Sequence, residues 1–138
     1  DRRQRQMCIR DREDDDETIA FFSLLNDKIS QTTIDKNYWR KLRKAFPHRK
    51  HLGSYPAVKI GRLGVATSHR GEGIGTDIIS AVKQMLINRQ SVSATRFLTV
   101  DAYLSAVPFY ERNGFHPLIN QPCEDTLPMY FDLIQLIE

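Results

Sequence analysis

Arg70, Gly71, Glu72, Gly73, Ile74 and Gly75 place three glycines within five positions, between an apolar run at 57–65 and a stretch of helical periodicity. Glycines where a strand turns into a helix let the backbone approach an anion with no Cβ in the way. The first helical turn adds unpaired N–H donors at the positive end of its dipole. The chemistry implied is the holding of phosphates. A Walker A loop needs a Lys and then Ser or Thr after its last glycine, and no Lys follows here. A dinucleotide fingerprint could use Asp101 for a ribose hydroxyl, but its third glycine would fall on Thr76, and too few parallel strands are available. A purely structural turn does not require so many glycines.

The elements around the loop must position it. Residues 7–10 and 18–26 read as the strands of an antiparallel hairpin, joined by a turn at 11–17 in which six of seven residues are acidic. Between 34 and 46, Tyr38, Trp39, Leu42 and Phe46 recur at spacings of three and four, which predicts a basic amphipathic helix ending before Pro47, with loop at 47–56. In 57–65 the apolar positions change parity: Val58 and Ile60 share one face of a strand, Leu63 and Val65 the other. A bulge at 61–64 reconciles them, a device that re-aims backbone beside active sites. Ile74, Ile78, Val82 and Leu86 predict a helix to about Asn88, and residues 97–100 a buried strand parallel to the first. A helix within 101–112 starts late, near Ser105, so that Pro108 lies in its first turn; Asp101 reads as its cap and Gly114 as its terminator. Residues 115–118 and 129–136 close the set as strands.

At 138 residues the chain reads as one domain able to bury a core without disulfides. No apolar run approaches the ~20 residues that span a bilayer. The first six residues lack the apolar stretch of a signal peptide, so cytoplasm is the expected compartment. Cys8 and Cys123 are isolated, with no ligand-spaced partner, and read as buried, inert thiols rather than a zinc site or disulfide. The net charge of +3 is unevenly spread: residues 31–62 carry nine Lys or Arg against Asp35 alone. Such a segment suits an anionic partner, or serves as a solvated face balancing the acidic turn.

The glycine loop, preceded by Arg62-Leu63-Gly64-Val65, resembles the acyl-CoA loop of the GNAT N-acetyltransferase superfamily, written (Gln/Arg)-x-x-Gly-x-(Gly/Ala) after a Leu-x-Val strand. Ala106, Phe109, Tyr110, Glu111, Gly114 and Phe115 resemble the family's later Ala-x-x-(Phe/Leu)-Tyr-Glu-x-x-Gly-Phe segment. Together, in this order, the two motifs are specific, and the resemblance runs from about Thr18 to Leu136. It implies an α+β (α/β) fold: a mixed, mostly antiparallel sheet with a splayed parallel strand pair, flanked by helices. Family members usually begin with a strand and two helices ahead of the hairpin, elements this sequence does not show. Tyr103 stands where many members have an Asn near the CoA arm.

The resemblance implies acetyl-CoA as co-substrate. Its pyrophosphate would be held by backbone N–H groups of Gly71, Glu72, Gly73, Ile74, Gly75 and Thr76, with Arg70 adding charge or loop structure. Its pantetheine arm would lie along Leu63, Gly64 and Val65 as an added strand, with the Val65 N–H or a neighbour facing the oxyanion. Tyr110 becomes the acid that protonates the departing thiolate, since a phenol stays protonated at neutral pH. His48, His51 and Asp101 are weighed as the base, but the histidines read as surface residues and Asp101 as a helix cap, so no base is assigned, and no metal. The acceptor is a primary amine. Features at 55–63, 100–102 and 129–131 resemble a toxin-like subgroup that acetylates aminoacyl-tRNA, which the basic 31–62 segment would suit. A homodimer is compatible with the reading. The alternative is a silent acyl-CoA-binding sensor or interaction module.

Overall fold

The computed structural model describes residues 5–10, 18–30, 36–43, 54–88 and 95–136. In chain order these form β1 (Arg5–Arg10), β2 (Thr18–Ser30), α1 (Lys36–Arg43), β3 (Ser54–Val65), α2 (Ile74–Asn88), β4 (Phe97–Tyr103), α3 (Val107–Arg112), β5 (His116–Pro117) and β6 (Thr126–Asp132). The six strands make one sheet in the order β1-β2-β3-β4-β6-β5. Every neighbouring pair is antiparallel except β3 and β4, which the α2 crossover makes parallel. This is the mixed sheet with one parallel pair that the sequence implied. The acidic turn at 11–17, the flanks of α1 and the loop at 47–53 lie outside the described residues.

The hairpin forms as expected, but β2 runs four residues further, to Ser30, because β3 begins earlier and pairs Ser30 with Ser54. Ser54, Tyr55 and Pro56 therefore belong to a strand, not to the loop expected at 47–56. Pro56 is tolerated because its carbonyl, accepting from the Arg96 N–H, points toward β4. The missing N–H points the same way, ahead of the first parallel rung, Ala57 with Phe97, so no ladder bond is lost. The parity break proves to be a bulge. Between β2 and β3 the register jumps from Ser23↔Arg62 to Leu24↔Ile60, leaving Gly61 without a partner. Val58 and Ile60 before it, and Leu63 and Val65 after it, all reach the same core.

That core lies between the sheet and α2, whose Ile78, Ile79, Val82 and Leu86 are buried as the i+4 spacing requires. It also takes Tyr110 and Phe115 from the α3 side. A smaller cluster on the other face gathers Ile29, Trp39, Tyr55, Ala57, Phe97 and Leu118. β4 runs on to Tyr103, beyond the expected end at Val100, because β6 pairs with it throughout, Tyr103 against Thr126. After a 3-10 turn over Leu104–Ala106, α3 begins with a proline in its first turn. It closes in a Schellman motif: Phe115 N–H to the Tyr110 carbonyl and Gly114 N–H to the Glu111 carbonyl, both at 3.0 Å, with Gly114 at φ +88°. β6 starts at Thr126 and stops at Asp132, and Leu133–Leu136 form a 3-10 turn instead of the expected strand. Asp132 is held by Arg96, with Nε at 2.7 Å and Nη2 at 3.1 Å, which fastens the start of β4 to the end of β6.

Candidate functional site

β3 and β4 pair over only four rungs, from Ala57↔Phe97 to Ile60↔Val100. Beyond Ile60, β3 continues against β2 and β4 against β6, so the two strands part at the Gly61 bulge. The Ala66 N–H donates to the Ile19 carbonyl at 2.6 Å, which fixes the alternation at the end of β3. By that alternation the backbone polar groups of Leu63 and Val65 point away from β2, into the space β4 has left.

That space is a cleft of about 380 Å³. Gly61, Arg62 and Leu63 line it from β3, and Asp101, Ala102 and Tyr103 from β4. Tyr110 and Ala106 close it from the α3 side and Phe21 from β2. Tyr110 is buried, its ring edge-on to Phe109 and Phe115 at 5.0 and 5.3 Å, and among the described residues its hydroxyl has no hydrogen-bond partner. Burial pushes the phenol up to about 12, so it is fully protonated at neutral pH.

The glycine loop adjoins the cleft without lining it. Gly71 and Gly73 sit at φ +85° and +79°, conformations that only glycine adopts freely, and among the described residues an added Cβ at either would meet nothing within 4 Å. The loop is therefore open on its outer side. The Asp77 N–H donates to the Gly73 carbonyl at 3.0 Å, whereas the N–H groups of Gly71, Glu72, Gly73, Ile74, Gly75 and Thr76 donate to no backbone carbonyl among the described residues. These are the orphan donors of a helix start, available to an anion. Arg70 is exposed beside them, and His69 Nδ1 lies 2.8 Å from Glu72 Oε2, bracing the turn. Gly75 ties the loop to the cleft. A Cβ there would lie 3.1 Å from the Phe109 ring and 4.0 Å from Val65 Cγ2. Gly64 has a comparable role in β3, since a Cβ would come within 2.5 Å of the Phe21 ring.

Two readings from the sequence need correction. Asp101 does not cap a helix: it lies inside β4, opposite Pro128, with Oδ2 2.6 Å from Lys59 Nζ. Cys123 is exposed, not buried, in a loop bridge to Thr126. His48 and His51 lie outside the described residues. Sequence reasoning did not find the Lys59–Asp101 pair or Phe21 as a cleft wall, because both depend on strand register. The only hint was a lysine inside the apolar run of β3.

A family model described as an acetyltransferase (GNAT) domain matches residues 50–130. The chain belongs to this family. No curated protein matches it in sequence. Among solved structures, the GNAT chain is similar to a bacterial toxin at 17% identity and TM-score 0.72, covering 89% of this chain and 64% of that one. It is similar to AtaT complexed with acetyl-methionyl-tRNAfMet at 20% identity and TM-score 0.68, covering 87% and 65%. It also resembles AtaTR bound with AcCoA at 18% identity and TM-score 0.69, covering 99% and 75%. At these identities the likeness establishes the GNAT fold, and the chain spans less than two thirds of the length of the first two. No described helix is long and apolar enough to cross a membrane.

Proposed function

We propose that this GNAT domain transfers an acetyl group from acetyl-CoA to a primary amine by direct attack. The observation that carries the reading is the parting of β3 from β4 at Gly61, which opens a cleft with unpaired strand backbone on one wall and a buried, protonated phenol on another. The pyrophosphate is taken by the N–H groups from Gly71 to Thr76, with Arg70 alongside, and the pantetheine arm pairs with Leu63, Gly64 and Val65.

In the reaction the amine nitrogen attacks the thioester carbonyl, and the Val65 N–H faces the oxygen as it gains charge. The tetrahedral intermediate collapses with cleavage of the C–S bond. The Tyr110 hydroxyl gives its proton to the departing sulfur, the amine loses its own to water, and the phenolate is reprotonated from solvent. A phenol at about 12 is a weak acid for a thiolate whose ordinary value is about 8.5. The same desolvation raises the thiol too, which narrows the gap. The weak acid is also an advantage, because Tyr110 is never lost as a phenolate at working pH.

For the acceptor we favour aminoacyl-tRNA. Lys28, Lys36, Arg40 and Arg62 are exposed, and a phosphate-rich acceptor is drawn to such a surface. AtaT, a structural neighbour, has been seen with an acetylated methionyl-tRNA. The test is thiol release from acetyl-CoA with pooled aminoacyl-tRNA, spermidine, small amines and lysine peptides. Salt-sensitive turnover on aminoacyl-tRNA is expected. Salt-insensitive activity on a small amine would reject tRNA as acceptor, and acetyl-CoA binding without any turnover would mark a silent sensor.

A further inference from the structure

Among the described residues, Asp101 is the only carboxylate that lines the cleft. It stands one residue past the last parallel rung, Ile60↔Val100. Its neighbours Val100 and Ala102 are buried in the core that also holds Tyr110, whereas Asp101 and Tyr103 are exposed on the opposite face of the sheet. Asp101 and Tyr110 nevertheless line one opening, because the cleft passes through the sheet where the strands part. In a direct transfer the nucleophile and the leaving sulfur sit on different sides of the carbonyl carbon. With Tyr110 serving the sulfur, an amine entering from the other face meets Asp101 first.

The structure already contains a primary ammonium at that carboxylate. Lys59 Nζ lies 2.6 Å from Asp101 Oδ2, with side chains 24% and 46% exposed. An ion pair so open to water stabilises the fold by about 0–1 kcal/mol, so another cation can displace it at little cost. Asp101 is therefore placed and pre-charged for the chemical group that an amine acceptor presents at neutral pH. We infer that Asp101 is the docking carboxylate for the acceptor's ammonium group, and that Lys59 occupies it until the acceptor arrives. The inference rests on the transferase reading given above.

The two partners then act with opposite sign, which a structural ion pair cannot do. The experiment measures thiol release by the full chain, using whichever of pooled aminoacyl-tRNA, spermidine or a lysine peptide the wild type turns over fastest. Asp101→Asn should raise KM for the amine about tenfold, the scale of one charge-assisted hydrogen bond, and leave KM for acetyl-CoA unchanged. Asp101→Glu should recover most of that loss. Lys59→Gln should lower KM for the amine, because the competitor is gone. Both neutral variants break the same ion pair, so any shared loss of folding cancels from the comparison. KM changes of the same sign in the two variants, or an unchanged amine KM in Asp101→Asn, would overturn the inference alone. For tRNA, a purely long-range charge effect predicts the reverse signs, and observing these would also overturn it. Absence of thiol release by the wild type with every amine would remove the transferase reading, and the inference with it.

Discussion

The first four rungs of β3 and β4 differ sharply from the next few residues of the same two strands. In the paired half Phe97 and Leu98 are fully buried, Ile60 and Val100 nearly so, and the backbone is satisfied by the ladder. In the parted half Gly61, Arg62, Asp101 and Tyr103 are exposed, and the backbone of Leu63 and Val65 faces open space. One unpaired glycine separates a region packed for stability from one that, in the function proposed above, receives a ligand. The two halves should therefore fail differently when altered.

The largest effect is expected in the paired half. Phe97 is fully buried, with edge-on contacts to Tyr55 and Tyr130 at 6.3 and 5.9 Å. Phe97→Ala should cost about 3–5 kcal/mol in a urea titration, through lost burial and the cavity left behind. Residual folded protein should keep its affinity for acetyl-CoA. A loss below about 1 kcal/mol would mean that the paired half does not anchor the fold.

Tyr110→Phe should invert that pattern. The hydroxyl has no partner among the described residues, so stability should change by no more than about 0.5 kcal/mol. kcat should fall about 100-fold, with acetyl-CoA affinity retained. The wild type carries a pH signature as well. With the phenol at about 12, activity should not decline through pH 10 from ionisation of Tyr110, and a Tyr110-dependent alkaline limb near 10 would contradict its burial. The sign for stability follows: the folded state holds this proton more tightly than the unfolded chain does. Its contribution is therefore complete below pH 10 and is lost as pH rises toward 12.

Much of this division was legible in the sequence. The parity change from Val58 and Ile60 to Leu63 and Val65 located the bulge, because alternation has only two phases and a slip must appear as an extra residue. The i+4 isoleucines and valine fixed α2 at Ile74–Asn88, since its pattern depends on one buried face. Misreadings arose where a partner strand decided the outcome. Pro56 looked like a loop residue, yet its missing N–H falls where no rung exists. Asp101, polar after an apolar run, looked like the end of a strand, yet β6 carries β4 on to Tyr103. The Lys59–Asp101 contact joins residues 42 positions apart and required a register that local pattern does not contain.

A smaller effect is expected at the loop. Gly73→Ala forces an alanine to φ +79°, at a cost of about 1–2 kcal/mol. That strain is present with and without ligand, so it should appear as a lower melting temperature and cancel from affinity. Among the described residues no protein atom lies within 4 Å of the new methyl group, so a loss of acetyl-CoA affinity reports a ligand in the same space, and calorimetry should show it about tenfold weaker. Unaltered affinity would remove Gly73 from the phosphate cradle.

The smallest effect tests how the parted half is held open from outside its strands. Lys83 projects from α2, donates to the Asn113 carbonyl at the end of α3 and lies 3.7 Å from the Phe131 ring centroid on β6. It thus ties the helix that carries the glycine loop to the helix that carries Tyr110. Lys83→Met keeps the length and apolar stem but loses the hydrogen bond, and should destabilise by about 1 kcal/mol at pH 7 without altering kcat. Desolvation holds the lysine below its ordinary 10.5, so between that lowered value and 10.5 the unfolded chain binds the extra proton. Wild-type stability relative to Lys83→Met should therefore grow as pH rises through that window, because the folded state no longer carries a half-buried charge. A difference that shrinks with pH would mean that the cation's attraction to the carbonyl and ring outweighs its desolvation. A change in kcat would show that the brace also sets the width of the cleft.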